Sequence, residues 1–119
     1  MIIHYEATSD SMRESSDFKE RNFDFPSLPN CTIQEIHIAE RFPEYGYAKN
    51  SICNLAIRVM KGYMTLFIYN EERTMDFKKG VSFEIPKNTP YYIVAEPSVV
   101  LYIVSAPVWD NKQLEIVTF

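Results

Sequence analysis

From residue 31 onward, the sequence consists of short runs of β-branched and aromatic residues separated by turn signals. Runs such as "TIQEIHIAERF" and "VSFEIP" are rich in Val, Ile, Tyr and Phe, the residues that favour strands over helices. Runs of this length, bounded by Gly, Pro or Asn, indicate a sandwich or a barrel. We therefore predict an all-β domain.

Two of these regions are long enough for two strands each. "CNLAIRVMKGYMTLFIY" predicts two strands joined by a tight turn at Lys61-Gly62. "YYIVA" and "SVVLYIVSAPVW" predict a pair that turns at Glu96-Pro97-Ser98. Pro86 should end the run "VSFEIP", because proline cannot donate a hydrogen bond to a sheet. "QLEIVTF" is the last predicted strand.

The first thirty residues differ from the rest, because they are polar, carry both signs of charge and end in two prolines. We expect residues 1–30 to form an irregular N-terminal segment, with "MIIHYEA" as an edge strand followed by a surface loop. A short helix around residues 11–19 is the alternative. Residues 31–119 then form the β-barrel domain.

Length and charge exclude several classes of protein. A chain of 119 residues has room for one hydrophobic core. Its net charge of -4 argues against nucleic-acid binding, and no apolar run reaches the roughly 20 residues of a membrane helix. The N-terminus lacks the pattern of a signal peptide, so we expect a cytoplasmic protein. Cys31 and Cys53 lack zinc-site spacing and should be free thiols.

The stretch "GVSFEIPKNTPY" carries a family resemblance. Gly80, Pro86 and Tyr91 follow the spacing Gly, five residues, Pro, one residue, Gly, two residues, His, which is the second motif of the cupin superfamily. Asn88 takes the place of the second Gly, and Asn tolerates left-handed backbone angles. Tyr91 takes the place of the metal-binding His. The sequence thus resembles a cupin, and this implies a double-stranded β-helix, or jelly-roll barrel.

The first cupin motif lacks its ligands as well. Counting back from Gly62 puts its Glu position at Leu55, and its two His positions fall at Lys49 and Ser51 or at Ala48 and Asn50. The resemblance therefore implies a cupin barrel with no standard metal and no cofactor. The loop "RFPEYGYA", the pair Tyr91-Tyr92 and the ending "PVW" also resemble small bacterial cupin-domain proteins, a group that predicts the fold better than the chemistry.

The main functional interpretation is a small-molecule binding protein. Aromatic rings with a few polar groups at a barrel mouth suit a small sugar-like or aromatic ligand. Five of the candidates below also have a structural alternative: an external position for Arg58, the core for Tyr102, a turn for Asn50, and an interface for the loop residues Tyr45 and Tyr47. The ligand-binding candidates are Tyr45, Tyr47, Asn50, Arg58, Tyr91 and Tyr102.

Two further functions stay open. Resemblance to the metal-free sugar epimerases among cupins implies an isomerase-like enzyme with Tyr91 as acid and His37 as base, provided that His37 points into the barrel. The second alternative is a dimeric structural or interaction module. We expect a homodimer, with Trp109, Phe119 and "MIIHYEA" either at its interface or in the core.

Overall fold

Nine strands form one curled, antiparallel sheet in the computed structural model, which describes residues 12–14, 18–23, 30–107 and 113–119. No α-helix occurs in these ranges, and none of them holds a helix long and apolar enough to span a membrane. The all-β prediction is confirmed. The strands are β1 (Met12–Glu14), β2 (Phe18–Phe23), β3 (Thr32–Phe42), β4 (Tyr47–Asn50), β5 (Asn54–Ile68), β6 (Met75–Lys78), β7 (Ser82–Ile85), β8 (Tyr91–Ala106) and β9 (Leu114–Val117).

The sheet is organised around three long strands. β8 pairs with β3 on one side and with β5 on the other, so β8 is the central strand. The order β1-β2-β3-β8-β4-β9 gives one branch, while β6 and β7 pair with β5 on its far side. β5 thereby joins β6 and β7 to the rest of the sheet.

The predicted turns at Lys61-Gly62 and Glu96-Pro97-Ser98 are wrong. β5 and β8 are continuous strands of 15 and 16 residues that pair with each other along most of their length. The pairing register shifts on both sides of Gly62, which has a φ of 88° and lies opposite Val99. Glycine therefore marks a β-bulge here, where two strands bend together, and the bend curls the sheet.

The N-terminal segment contributes to the sheet. β2 pairs with β3 along six residues, from Phe18 opposite Ile38 to Phe23 opposite Ile33. The alternative of a helix around residues 11–19 is wrong for residues 12–14 and 18–19, which lie in strands. "MIIHYEA" lies outside the described residues, and the division of the chain at residue 30 stays a prediction.

The core lies inside the curl of the sheet. Alternate residues of β3, β5 and β8 point inward, among them Ile38, Ile57 and Leu101, which are almost completely buried. Burying each side chain of this size contributes about 1.5–3 kcal/mol. The buried polar or charged residues are the exceptions to this pattern: Glu20, Thr32, Gln34, Asn50 and Ser105.

Candidate functional site

Four polar side chains line a small cavity inside the barrel: Glu20, Gln34, Asn50 and Tyr91. Its enclosed volume is about 30 Å³, which is enough for a single water molecule. Phe42 and Leu114 also line the cavity and are half-buried, so the end of the cavity that they line meets the solvent. The remaining walls are aliphatic. The cavity is thus a polar pocket within an otherwise apolar core.

Glu20 enters the cavity from β2. Its register partner is Ile36 of β3, whose side chain also points inward, and Glu20 is only 2% exposed. Its neighbours Lys19 and Arg21 point outward and stay half-buried, as strand alternation requires. Carboxylates are almost never buried to this degree unless they have polar partners. Glu20 is not among the residues predicted from the sequence, because every residue around it in "KERN" is polar and no alternation marks the inward one.

Tyr91 lies at the start of β8, opposite Ala48 of β4 and Ile68 of β5. It is 4% exposed, and burial raises the pKa of its phenol, with a smaller contribution from the Glu20 carboxyl. The phenol therefore stays protonated at neutral and mildly alkaline pH. In that state it can donate one hydrogen bond and accept others, but it is a poor proton donor in an acid–base step.

Asn50 both lines the cavity and closes the turn between β4 and β5. Its Oδ1 atom accepts hydrogen bonds from the backbone N–H groups of Ile52 at 2.8 Å and Cys53 at 2.7 Å. Its Nδ2 atom lies 3.4 Å from Oε1 of Gln113. Asn50 therefore has the turn-closing role that was the structural alternative to ligand binding.

Cys53 is a buried thiol beside this turn. Its Sγ atom lies 2.9 Å from the carbonyl oxygen of Pro107 and 3.2 Å from Oε1 of Gln113. Burial raises the pKa of the thiol, and the hydrogen bond with Asn50 offsets part of that effect. A protonated thiol that donates to a carbonyl group is not a nucleophile, so its role is structural.

His37 points away from the cavity. It lies between the inward-facing Ile36 and Ile38, and its Nε2 atom is 3.7 Å from Oε1 of Glu35 on the outer face of β3. His37 and Tyr91 therefore occupy opposite faces of the sheet. The epimerase-like alternative needed His37 inside the barrel as a base for Tyr91, and strand alternation puts it outside.

Arg58 and Tyr102 also lie on the outer face. They are register partners on β5 and β8, and both side chains are exposed. Arg58 approaches Ser82, with Nη1 at 3.4 Å from Oγ. Neither residue reaches the cavity, because their sequence neighbours Ile57 and Ile103 fill the inward positions.

Tyr45, in the loop after β3, and Tyr47, the first residue of β4, lie outside the barrel as well. Tyr45 is 64% exposed, whereas Tyr47 packs in an aromatic cluster on the surface. The Tyr47 ring is edge-on to three other rings, and Phe119, itself 72% exposed, stacks on Tyr69. Trp109, the other residue expected at an interface or in the core, lies outside the described residues. The aromatic cluster consists of Tyr47, Phe67, Tyr69, Tyr92 and Phe119.

The curled sheet is similar to several solved structures. A variant of Pac13 from Streptomyces with uridine has a TM-score of 0.78 at 13% identity, over 98% of this chain and 93% of that chain. Oxalate decarboxylase from Bacillus subtilis has a TM-score of 0.78 at 15% identity, over 94% of this chain and 31% of that chain. Ectoine synthase from P. lautus has a TM-score of 0.74 at 12% identity, over 98% and 90%.

All three are cupin barrels. This protein has the cupin fold. The similarity confirms the predicted jelly-roll barrel, and at these identities it defines the fold alone. No family model and no curated protein matches the sequence.

In this barrel, the positions that correspond to the cupin metal ligands do not suit a metal ion. Of the two possible pairs of His positions, the buried pair is Ala48 and Asn50. Leu55 is buried at the Glu position of the first motif, and Tyr91 is buried at the His position of the second motif. A methyl, an amide, an isobutyl group and a protonated phenol do not form the imidazole and carboxylate shell that a cupin metal requires. Within the described part of the chain, no three His, Cys, Asp or Glu residues form a group that could hold a metal ion.

Proposed function

We propose that this cupin binds a small polar organic molecule in its barrel without a metal ion. The observation that carries the proposal is the convergence of Glu20, Gln34, Asn50 and Tyr91 on one cavity in an apolar core. Carboxyl, amide and phenol groups can each form more than one hydrogen bond. A cavity lined by four such side chains therefore favours a guest that forms hydrogen bonds over an apolar one.

The size of the cavity limits how the ligand binds. An enclosed volume of about 30 Å³ holds one hydroxyl or amide group and not a whole sugar ring. We therefore expect one polar group of the ligand to enter the cavity and the rest to lie at the open end. Phe42, which stacks on Phe18 with ring centroids 4.9 Å apart, supplies an aromatic surface there.

The Glu20 carboxyl determines the charge of a suitable ligand. A carboxylate accepts hydrogen bonds from hydroxyl groups and repels anions. Tyr91 can donate a hydrogen bond to the same hydroxyl oxygen. Neutral, hydroxyl-bearing compounds such as sugars, polyols and nucleosides are therefore the ligand class that fits, whereas carboxylic acids are disfavoured.

Mass spectrometry of untagged protein under native conditions tests for a co-purified ligand, and titration with a panel of sugars, polyols and nucleosides measures affinity. Tyr91→Phe and Glu20→Gln should each weaken binding about tenfold, which corresponds to the loss of one hydrogen bond. Tyr45→Phe and Glu72→Gln are matched controls at exposed positions and should leave it unchanged. Equal affinity in all four variants would remove the cavity as the binding site.

A metal-free enzyme is the second candidate, and the pairing of Glu20 with Tyr91 in the cavity favours it. A Glu20 carboxylate could take a proton from a carbon next to a carbonyl group, while Tyr91 donates a hydrogen bond to that carbonyl oxygen. If a hydroxyl group then leaves from the adjacent carbon, it takes the proton back from Glu20 and departs as water. Pac13, with its similar fold, is described as a nucleoside dehydratase.

Hydrogen–deuterium exchange at carbon distinguishes the enzyme from a binding protein. Hydroxylated carbonyl compounds are incubated with the protein in D₂O and followed by NMR, with uridine as an additional binding probe. An enzyme of this type should exchange or eliminate at a rate that Glu20→Gln abolishes and Glu72→Gln does not. Binding without any exchange would leave the binding protein as the function.

A further inference from the structure

The outer face of β5, β7 and β8 carries an open groove of about 430 Å³. We call this surface the β5–β7–β8 face. Tyr102 is 43% exposed on it and Val104 is 40% exposed. Neighbouring exposed apolar side chains of this size on a sheet mark an interaction surface more often than isolated ones do. The residues that form the face are Ala56, Arg58, Ser82, Glu84, Tyr102 and Val104.

The register of the three strands arranges these residues in two rows. Arg58 pairs with Ser82 on one side and with Tyr102 on the other, so these three residues form the first row. Ala56 pairs with Glu84 and with Val104, and these form the second row. Each row thus has one charged residue and one large apolar residue, and the two charges have opposite signs.

Arg58 and Glu84 differ in their contacts within the subunit. Arg58 lies 3.4 Å from the Ser82 hydroxyl, a contact at the limit of a hydrogen bond. Glu84 is exposed and makes no hydrogen bond or ion pair with another side chain in the described ranges. One patch therefore offers both a cation and an anion to a partner.

We propose that the β5–β7–β8 face binds a second copy of this chain around a two-fold axis that runs across the strands between the two rows. Such an axis exchanges the rows. It brings Tyr102 over Val104 of the partner subunit and sets Arg58 beside Glu84 of the partner subunit, about one strand spacing of 4.8 Å away. A two-fold contact requires a self-complementary patch, and opposite charges in adjacent rows satisfy that requirement.

The composition of the face agrees with a protein partner. Tyr and Arg are enriched at the centres of protein interfaces and carry much of their binding energy. The side chains of this face point away from the barrel interior, because their neighbours Ile57 and Ile103 are the buried ones. Dimerisation is therefore independent of the proposed ligand cavity, and ligand binding can fail as a hypothesis without affecting it.

Sedimentation equilibrium of the full chain tests the proposal. The wild type should have twice the chain mass of 13.9 kDa at tens of micromolar. Arg58→Glu and Glu84→Arg should each weaken the dimer at least tenfold, because each variant opposes like charges twice across the axis. An equimolar mixture of the two variants should form a heterodimer again, since both contacts then join opposite charges.

The mixing step distinguishes this contact from an ion pair within one subunit, which mixing cannot repair. Lys79→Glu and Glu72→Arg make the same charge changes at exposed positions outside the face, and both should keep the wild-type mass. Circular dichroism confirms that each variant is folded. A monomeric wild type at 100 micromolar, or a dimer that neither face variant weakens, would overturn the proposal, and so would failure of the mixture to associate.

Discussion

Glu20 and Tyr91 line the same cavity from strands that are far apart in the chain, and the Glu20 carboxyl adds to the effect of burial in raising the pKa of the Tyr91 phenol. Glu20 belongs to β2 and Tyr91 begins β8, with β3 between the two strands in the sheet. Their convergence places a polar pocket inside the otherwise apolar core of the barrel.

Alkaline pH should destabilise the protein through Tyr91. A tyrosine in the unfolded chain ionises near pH 10, whereas burial keeps the folded phenol protonated to higher pH. The stabilisation is therefore fully present below about pH 10 and is lost as the pH rises further. Tyr91→Phe should flatten the fall in the free energy of unfolding above pH 10 by up to about 1.4 kcal/mol per pH unit.

Urea titrations between pH 8 and pH 11.5 measure this slope. Tyr45→Phe, at a position that is 64% exposed, serves as the control and should keep the wild-type slope. Parallel profiles for the wild type and Tyr91→Phe would contradict the prediction.

Removing the side chain of Asn50 should lower the free energy of unfolding more than removing the side chain of Asn54. Asn50 satisfies two backbone N–H groups, one of them on the fully buried Cys53, while Asn54 accepts one hydrogen bond from the exposed Lys87. Water can replace the second contact but not the first. We expect Asn50→Ala to lose about 2–3 kcal/mol of unfolding free energy and Asn54→Ala less than about 1 kcal/mol. Chemical denaturation measures both, and equal losses would refute the argument.

Alanine should be tolerated much worse at Gly62 than at Gly80. Both glycines have positive φ, at 88° and 92°. A Cβ atom on Gly62 would overlap the backbone carbonyl oxygen of Ser98, whereas nothing lies within 4 Å of one on Gly80. Gly80→Ala should therefore cost about 1 kcal/mol from backbone strain alone, and Gly62→Ala roughly 3 kcal/mol or more. Thermal and urea denaturation of the pair test this, and a similar cost at both sites would show that strand contact does not matter.

Arg41 should hold the loop between β3 and β4 in place. Its guanidinium donates hydrogen bonds to the carbonyl oxygens of Pro43 at 2.7 Å and Gly46 at 2.9 Å, and it lies 4.2 Å from the centre of the Tyr92 ring. A lysine ammonium cannot reproduce this planar, two-point contact. Arg41→Lys should therefore cost about 1–2 kcal/mol.

The same variant should speed amide hydrogen exchange in residues 44–46, because a lysine ammonium cannot hold both carbonyl oxygens in the geometry of the guanidinium. Arg73→Lys at an exposed position should change stability by less than about 0.5 kcal/mol and leave the exchange rates as they are. Unchanged exchange in Arg41→Lys would mean that the loop is held by other contacts.

Local features of the sequence predict a large part of the fold. The run from Thr32 to Phe42 is one strand, Pro86 follows the end of β7 at Ile85, and Asn88 has the left-handed φ of 64° expected where cupins have Gly. Residue type and immediate neighbours determine each of these features, so they can be read without knowledge of the partner strands. The cupin spacing from Gly80 to Tyr91 also identified the buried tyrosine correctly as an inward-facing side chain.

Pairing between distant strands decides the rest. A glycine after a lysine suits both a turn and a bulge. Gly62 lies in a bulge because β8 pairs with β5 on both sides of it. Likewise, nothing in "FKERNF" distinguishes Glu20 from Lys19 or Arg21. Which of them is buried depends on the register of β2 against β3, and that register is set by contacts between residues ten to twenty positions apart in the chain. The sequence by itself therefore determined an all-β barrel with a tyrosine at the position of the cupins' metal-binding His. The tertiary structure alone placed a carboxyl group in the same cavity as that tyrosine and put His37 on the opposite face. The physical reason is that only strand pairing decides which side of a sheet a polar residue occupies.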